Sequence, residues 1–201
     1  GLAQLEALTG VPVAGVLPYL SLQLDEEDSL SDRLENGAPG LIDLVVIRLP
    51  RISNFTDFDN FALVPGVSVR YVSHPGQLGD PDMVILPGTK NTMGDLAWLR
   101  QSGLESAIKQ QAARGKVIFG VCGGYQMLGQ SLEDPDGVEG GGRMAGLGLL
   151  AVRTVFAPQK TRTRVKGKFA PVGGVLAGLS GLPLEGYEIH MGVSSGQEIP
   201  T

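Results

Sequence analysis

The chain has 201 residues, of which 42% are hydrophobic and 18% are charged, with 30 Gly and 13 Pro. This composition is typical of a globular domain with a sizeable core, and it excludes a disordered tail or a mini-protein. The 16 Lys and Arg against 21 Asp and Glu give a net charge of −5, so no basic excess points to a nucleic-acid partner. The single Cys excludes an intramolecular disulfide and any multi-thiolate metal site, which favours a reducing, cytoplasmic setting. No segment has the length and apolarity of a membrane span or the layout of a signal peptide, so no membrane partner is expected.

The first forty residues predict the end of one unit and a linker. Leu2, Leu5 and Leu8 have helical spacing, and residues 13–18 form an apolar run that predicts a strand. The acidic residues 25–31 that follow predict a solvated linker. Because the chain begins with Gly rather than Met and stops just after a strand-like segment, we expect a piece of a longer protein. Residues 1–40 would be the tail of a preceding domain plus its linker, and 41–201 a domain that is incomplete at its C-terminus.

A regular alternation of strands and helices begins after residue 40. Residues 44–47, 83–86 and 117–121 are short apolar runs, typical of strands that are covered by helices on both faces. Between the last two runs, residues 93–114 have helical spacing with a Ser-Gly break. This order predicts an α/β fold with a doubly wound, mostly parallel sheet flanked by helices. After residue 145 the turn-rich, alternating pattern predicts an antiparallel extension.

The only Cys of the chain, Cys122, lies where the third of these strands turns into a helix. Gly120, Gly123 and Gly124 surround it and supply the room that a sharp nucleophile elbow needs. The N–H of Gly123 is one expected oxyanion donor, and the peptide between Gly88 and Thr89, in the loop after the preceding strand, is the second. The alternative is that Cys122 is a small buried apolar residue.

Several segments carry a resemblance to a known family. The Gly-x-Cys-x-Gly-x-Gln pattern at 120–126, opposite a Pro-Gly loop, resembles the elbow of class I glutamine amidotransferases. Residues 44–59, 85–92 and 186–192 look more narrowly like the glutaminase half of the cobyric acid synthases. The similarity extends over residues 10–192 and implies a flavodoxin-like glutamine amidotransferase fold.

The resemblance implies that Cys122 attacks the side-chain amide of glutamine and releases ammonia. In that family the ammonia amidates the b, d, e and g carboxylates of adenosylcobyrinic acid a,c-diamide, a step of adenosylcobalamin biosynthesis. ATP and Mg belong to a separate N-terminal synthetase domain, whose last elements would be residues 1–20, and this domain needs no cofactor or metal of its own. Gln126 matches the Gln that contacts the substrate glutamine, although a solvent-facing helix residue is the alternative.

A Cys-dependent glutaminase also needs a base, and the chain has two His. His74 lies in a Pro-Gly turn and is expected at the surface. His190 lies on an apparent strand and could reach the site. In the family, however, the base comes from a later strand with a Tyr-Leu-His-Gly pattern that this sequence lacks. We therefore expect His190 to be a pocket residue rather than the base, and the 201-residue chain to be nearly inactive.

Five cations occupy every second position of one segment, which would place them on one face of a strand: Lys160, Arg162, Arg164, Lys166 and Lys168. Such a stripe is typical of a solvated edge that discourages aggregation. Alternatively, Arg162 or Arg164 binds the carboxylate of glutamine, or the stripe faces the corrinoid or the synthetase half.

The glycine-rich residues 137–148 neither follow a strand nor open a clear helix. Phosphate binding is therefore weakly supported, and a flexible loop is the better interpretation.

Two rival functions remain open. The first is a related glutaminase, such as that of cobyrinic acid a,c-diamide synthase or of lipid II isoglutaminyl synthase, although residues 51–59 favour the cobyric acid synthases. The second is a non-catalytic binding module with the same fold, which the missing His strand favours. The three glycines around Cys122 (Gly120, Gly123 and Gly124) favour catalysis.

Overall fold

The computed structural model describes residues 2–16 and 40–196. Within these two ranges, no helix is both long enough and apolar enough to cross a membrane.

The N-terminal range confirms one of its two predicted elements. Helix α1 spans Leu2–Thr9, and none of the side chains of residues 2–16 is buried. The strand expected from residue 13 is absent up to residue 16, where the backbone has no regular structure. The remainder of that strand and the acidic linker fall in 17–39, outside the described residues. The division of the chain near residue 40 stays a prediction.

A four-stranded sheet begins after residue 40. Its strands are β1 Ile42–Ile47, β2 Val67–Val72, β3 Met83–Leu86 and β4 Val117–Gly120. The order β2-β1-β3-β4 is parallel throughout, which confirms the predicted doubly wound α/β fold and three of its strands. The sequence analysis did not identify β2, because Ser68 and Arg70 interrupt its apolar run.

Short helices connect the strands. The helical elements are a 3-10 turn at Phe55–Phe58 that continues into α2 Asp59–Ala62, a 3-10 turn at Pro75–Gln77, α3 Thr92–Gln101, α4 Leu104–Ala113 and α5 Gly123–Leu128. The predicted break inside residues 93–114 is confirmed, since Gly103 separates α3 from α4 with a φ of 81° that favours glycine.

The core lies on both faces of this sheet. Val45, Val46 and Ile47 of β1 have no exposed surface, and neither do Leu96 and Ile108 of α3 and α4. The expectation of two covered faces is wrong for β4. This strand lies at the edge of the sheet, and Phe119 is 44% exposed.

The predicted extension is a second sheet with strands β5 Ser131–Asp134, β6 Gly142–Ala145, β7 Val152–Lys168 and β8 Pro183–Gly196. Its order is β6-β5-β7-β8, and it is antiparallel except that β5 and β7 are parallel. A 3-10 turn at Gly174–Leu179 lies between the last two strands. A register shift interrupts the pairing of β7 with β8 between Val155 and Lys160. After it, these two strands pair only with each other, from Lys160 and Met191 to Lys168 and Pro183. Residues 160–191 are called the arm below, and none of its described side chains is buried.

The strand order determines where a site can form. The chain passes from β1 to β2 on one side and then to β3 on the other side of β1. In open α/β sheets, ligands bind outside the carboxyl ends of the strands at such a reversal. The loops after β1 and β3, and the turn after β4, all lie at that edge.

Candidate active site

Cys122 occupies the turn from β4 into α5. Its backbone has a φ of 49° and a ψ of −111°. A positive φ is uncommon for a residue with a Cβ atom and marks a strained turn. Because the residue is exposed, the turn presents its thiol at the carboxyl edge of the sheet, as a nucleophile elbow requires.

The glycines around Cys122 are there because of close backbone contacts. A Cβ atom at Gly124 would lie 2.0 Å from the carbonyl oxygen of Leu86, and one at Gly120 would lie 2.6 Å from the Cα atom of Tyr125. No side chain fits at either distance. The two glycines therefore let α5 pack directly against β3 and β4, and this packing sets the sharp turn at Cys122.

The loop after β3 lies beside this elbow. A Cβ atom at Gly88 would be 3.8 Å from the Cβ atom of Cys122, and one at Gly123 would be 3.4 Å from the backbone nitrogen of Thr89. The backbone N–H of Ser53 donates to the carbonyl oxygen of Gly88 over 2.9 Å. In a trans peptide the C=O and N–H groups point in opposite directions, so the N–H of Thr89 faces away from Ser53. The structure thus brings the two predicted oxyanion donors to one place.

Two adjoining cavities of about 520 Å³ each open at Cys122. Both are lined by Cys122, Gln126, Ile189 and His190, so α5 and β8 form their common wall. This volume is in the range of small-molecule binding clefts.

Gln126 is buried rather than solvent-facing, so the alternative interpretation of this residue is wrong. It is 6% exposed, its Nε2 donates to the carbonyl oxygen of Met191 over 3.1 Å, and its Oε1 accepts from the hydroxyl of Thr92 over 3.3 Å. The amide therefore ties α5 to β8 and α3 at the bottom of both cavities. Contact with a bound glutamine stays a prediction.

The two His are placed as the sequence analysis expects. His74 is exposed and caps the Pro75–Gln77 turn, where its Nδ1 accepts from the N–H of Gly76. His190 lines both cavities, with Nδ1 2.9 Å from the carbonyl oxygen of Gly192 and Nε2 2.7 Å from a carboxylate oxygen of Glu188. Both neighbours lie on β8, so each ring nitrogen of His190 is engaged by its own strand in this arrangement.

The cationic stripe does lie on β7, but its members have different surroundings. Arg164 and Lys166 both pair with Glu185 across the arm, and Arg164 lines neither cavity. Lys160, at the base of the arm, lines the cavity that Cys122 shares with Gly88 and Thr89. The structure therefore brings Lys160, and not Arg164, to the nucleophile.

The sequence analysis assigned no role to six polar residues that line the same cavity as Thr89: Ser53, Asn54, Asp57, Lys90, Thr92 and Glu139. Half of them belong to the segment 44–59, which carried the family resemblance but no assigned role. Asn54 has a φ of 51°, a left-handed conformation that Asn tolerates better than most residues. This turn lets the chain leave the sheet edge while Phe55 and Phe58 enter the core. Partial burial raises the pKa of the Asp57 carboxyl above its ordinary value.

Glu139 reaches the cavity from the glycine-rich stretch, which is not the flexible loop that was expected. The carboxylate of Asp134 accepts the backbone N–H groups of Val138, Glu139 and Gly141 at 2.7 to 2.8 Å. Burial by itself raises the pKa of Asp134, but these backbone donors hold it below its ordinary value. Glu139 in turn accepts the N–H of Met93 at the start of α3 over 2.8 Å.

Among the described residues, no group of three or more His, Cys, Asp or Glu side chains is arranged to hold a metal ion.

Comparison with known proteins places this geometry in a family. The family described as "CobB/CobQ-like glutamine amidotransferase domain" matches residues 43–200. Two solved structures share the fold: one titled "Crystal structure of glutamine amidotransferase" has a TM-score of 0.52 and 15% identity over 77% of this chain and 74% of that one. The other, titled "Structure of PurLQS from Thermotoga maritima", has a TM-score of 0.56 and 20% identity over 79% and 71% of the two chains.

Curated relatives are closer in sequence. The chain is 58% identical to the cobyric acid synthase of Ruminiclostridium cellulolyticum, with 98% of this chain and 39% of the relative covered. It is 53% identical to that of Lachnoclostridium phytofermentans, with 96% and 37% covered, and 52% identical to that of Yersinia enterocolitica, with 96% and 38% covered. The chain thus spans less than two-fifths of the length of these relatives. It belongs to the CobB/CobQ-like glutamine amidotransferase domain family.

Proposed function

We propose that this chain is the glutaminase of a cobyric acid synthase and that Cys122 is its nucleophile. The observation that carries the proposal is the convergence of a strained, exposed Cys122 and the Gly88–Thr89 peptide on cavities of ligand size. A thiol, oxyanion donors and a cavity are the parts that acyl transfer from an amide requires.

In the proposed reaction, the sulfur of Cys122 attacks the carbonyl carbon of the glutamine side chain. The N–H groups of Gly123 and Thr89 stabilise the resulting oxyanion. The C–N bond then breaks, the departing nitrogen takes up a proton, and ammonia leaves a glutamyl thioester on Cys122. Water hydrolyses the thioester to glutamate and restores the thiol.

Charges of both signs line the cavity that Cys122 shares with Gly88 and Thr89, and they support the recognition of an amino acid. Lys90 and Lys160 can bind the α-carboxylate of glutamine, and Asp57 and Glu139 can bind its α-ammonium group. Gln126 lines both cavities together with Cys122, which supports its predicted contact with the substrate.

The proposal does not assign the role of catalytic base to His190. His190 serves to shape the cavity, because both of its ring nitrogens face acceptors. The residue that accepts the thiol proton is then one other than His190, as the resemblance to the family implies.

The relatives' names support the larger role. In that role the ammonia is used by an ATP- and Mg-dependent synthetase domain to amidate the b, d, e and g carboxylates of adenosylcobyrinic acid a,c-diamide. The setting is the cytoplasm, and the partners are glutamine and the synthetase domain, with no nucleic acid or membrane involved.

A non-catalytic docking module is the second candidate function, because both ring nitrogens of His190 are engaged by groups of β8. Glutamine hydrolysis distinguishes the two. We would compare this chain, its Cys122→Ala variant and the full-length Ruminiclostridium relative with and without the corresponding Cys→Ala change. Glutaminase function predicts fast, Cys-dependent hydrolysis by the relative and little by this chain. Hydrolysis by the relative that survives the Cys→Ala change would contradict it, and equal activity of this chain would make His190 the leading base.

A further inference from the structure

The oxyanion loop and the segment after β1 are joined by a ladder of backbone contacts. Ser53 donates its N–H to the carbonyl oxygen of Gly88 over 2.9 Å, and Lys90 donates to that of Arg51 over 3.0 Å. An isolated β-bridge pairs Ile52 with Thr89. The direction of the Gly88–Thr89 peptide is therefore fixed by where residues 51–53 lie.

One buried carboxylate holds both sides of this ladder. Asp95, in the first turn of α3, has no exposed surface. Its Oδ2 accepts the hydroxyl of Thr89 over 2.6 Å and the backbone N–H of Arg51 over 3.1 Å, and its Oδ1 accepts the guanidinium of Arg51 over 2.9 Å. Two charge-assisted hydrogen bonds and an ion pair thus meet on a single side chain.

We infer that Asp95 is a positioning residue for amide hydrolysis, which keeps the N–H of Thr89 directed at the oxyanion by clamping Thr89 to Arg51. The inference rests on the proposed function, since it assigns Thr89 as an oxyanion donor. Asp95 itself lines neither cavity, so it acts through Thr89 and not on the substrate.

A second Asp–Arg pair in the same sheet provides a matched comparison. Asp43, at the start of β1, accepts the Nε of Arg70 over 2.9 Å and its NH2 group over 2.8 Å. This pair lies at the opposite end of the strands from Cys122. Loss of its hydrogen bonds alters the stability of the sheet without reaching the oxyanion loop.

The test uses two reagents that report on different properties of Cys122. A chloroketone analogue of glutamine places its ketone oxygen where the amide oxygen lies, and the thiolate displaces chloride from the adjacent carbon. Iodoacetamide alkylates the same sulfur without occupying the oxyanion position. The ratio of the two second-order rate constants therefore measures the oxyanion site apart from the exposure and reactivity of the thiol.

Asp95→Asn should lower this ratio about ten- to a hundred-fold, the size of effect expected when an oxyanion donor is misplaced. Thr89→Val, which removes only the clamped hydroxyl, should lower it similarly, while Thr89→Ser restores it. Combining Asp95→Asn with Thr89→Val should lower the ratio no further than either change alone. Asp43→Asn should leave it within about two-fold of the parent value.

An unchanged ratio in either Asp95→Asn or Thr89→Val, or an equal loss in Asp43→Asn, would overturn the inference. The Thr89→Val variant decides the matter if Asp95→Asn does not fold, as judged by circular dichroism. The proposed function fails separately, when free glutamine does not slow the reaction of the unsubstituted chain with the chloroketone.

Discussion

The parallel sheet and the arm both form walls of the same cavities, but they differ greatly in how much of their surface is buried. Val45, Val46 and Ile47 of β1 and Val84 of β3 have no exposed surface. In the arm no described side chain is buried, and Tyr187 is 71% exposed. Burial of apolar surface therefore stabilises the sheet, whereas the stability of the arm depends on the hydrogen bonds of one strand pair.

This difference separates two tasks within the site. Cys122, Gly88 and Thr89 lie on loops at the end of the buried sheet, where the reacting atoms need a fixed geometry. Lys160 and His190 come from the base of the arm, where contacts with the rest of the substrate tolerate more movement. Substitutions in the arm should therefore leave the positions of the nucleophile and the oxyanion donors unchanged. The same substitutions should alter the affinity for substrate.

The largest contrast is expected between two glycines. Gly124→Ala places a Cβ atom 2.0 Å from a backbone oxygen of β3 and should lower the free energy of unfolding by about 3 kcal/mol or more. Gly186→Ala, in the arm, meets nothing within 4 Å and should change it by less than about 0.5 kcal/mol. Urea unfolding of both variants measures the difference, and equal midpoints would show that the elbow is not tightly packed.

Removal of large side chains should show the same contrast. Ile85→Ala, at a position that is 1% exposed, should cost about 2 to 5 kcal/mol through lost burial and a cavity in the core. Tyr187→Ala should cost less than about 0.5 kcal/mol, because this ring is already mostly in water. Thermal unfolding provides the comparison. A large loss of stability from Tyr187→Ala would mean that the ring of Tyr187 is packed against other protein surface in solution.

Two cations of the stripe should differ in their effect on substrate binding. Lys160→Gln removes a charge from the cavity and should raise the half-saturating concentration of the glutamine chloroketone about ten-fold, or roughly 1.4 kcal/mol. Arg164→Gln removes an equal charge from a pair with Glu185 and should change it by less than about two-fold. The reverse result would restore Arg164 as the residue that binds the carboxylate.

The smallest effect concerns pH and the loop that carries Glu139. The folded state lowers the pKa of Asp134, so its carboxylate contributes stability above its unfolded pKa near 3.8 and loses that contribution as the pH falls through the lower, folded value. Asp134→Asn should therefore be less stable than the parent at neutral pH, and the gap should close below pH 3.8. Asp136→Asn, at an exposed position of the same turn, should show no such gap. A gap that does not depend on pH would contradict the role of the charge.

The sequence predicts the buried sheet far better than the site. Periodicity identifies β1, β3, β4 and the α3–α4 pair, because apolar burial is a local property of the sequence. The elbow at Cys122 is predictable for a similar reason, since its glycines are contiguous with it. The clamp at Asp95 is not, because two of its three contacts reach Arg51, which is 44 residues away in the chain. The division of the cationic stripe into Lys160 and Arg164 also depends on which part of β7 lines the cavity, which no period reveals.

Glutamine recognition at Cys122 is tested most directly by competition. The chain is treated with the chloroketone analogue of glutamine, and the labelled residue is located by mass spectrometry in the presence of free glutamine or asparagine. Because Cys122 is the only thiol, we predict a single adduct there, none in Cys122→Ala, and protection by glutamine but not by the shorter asparagine. Labelling that neither amino acid slows would contradict the assignment of these cavities to glutamine.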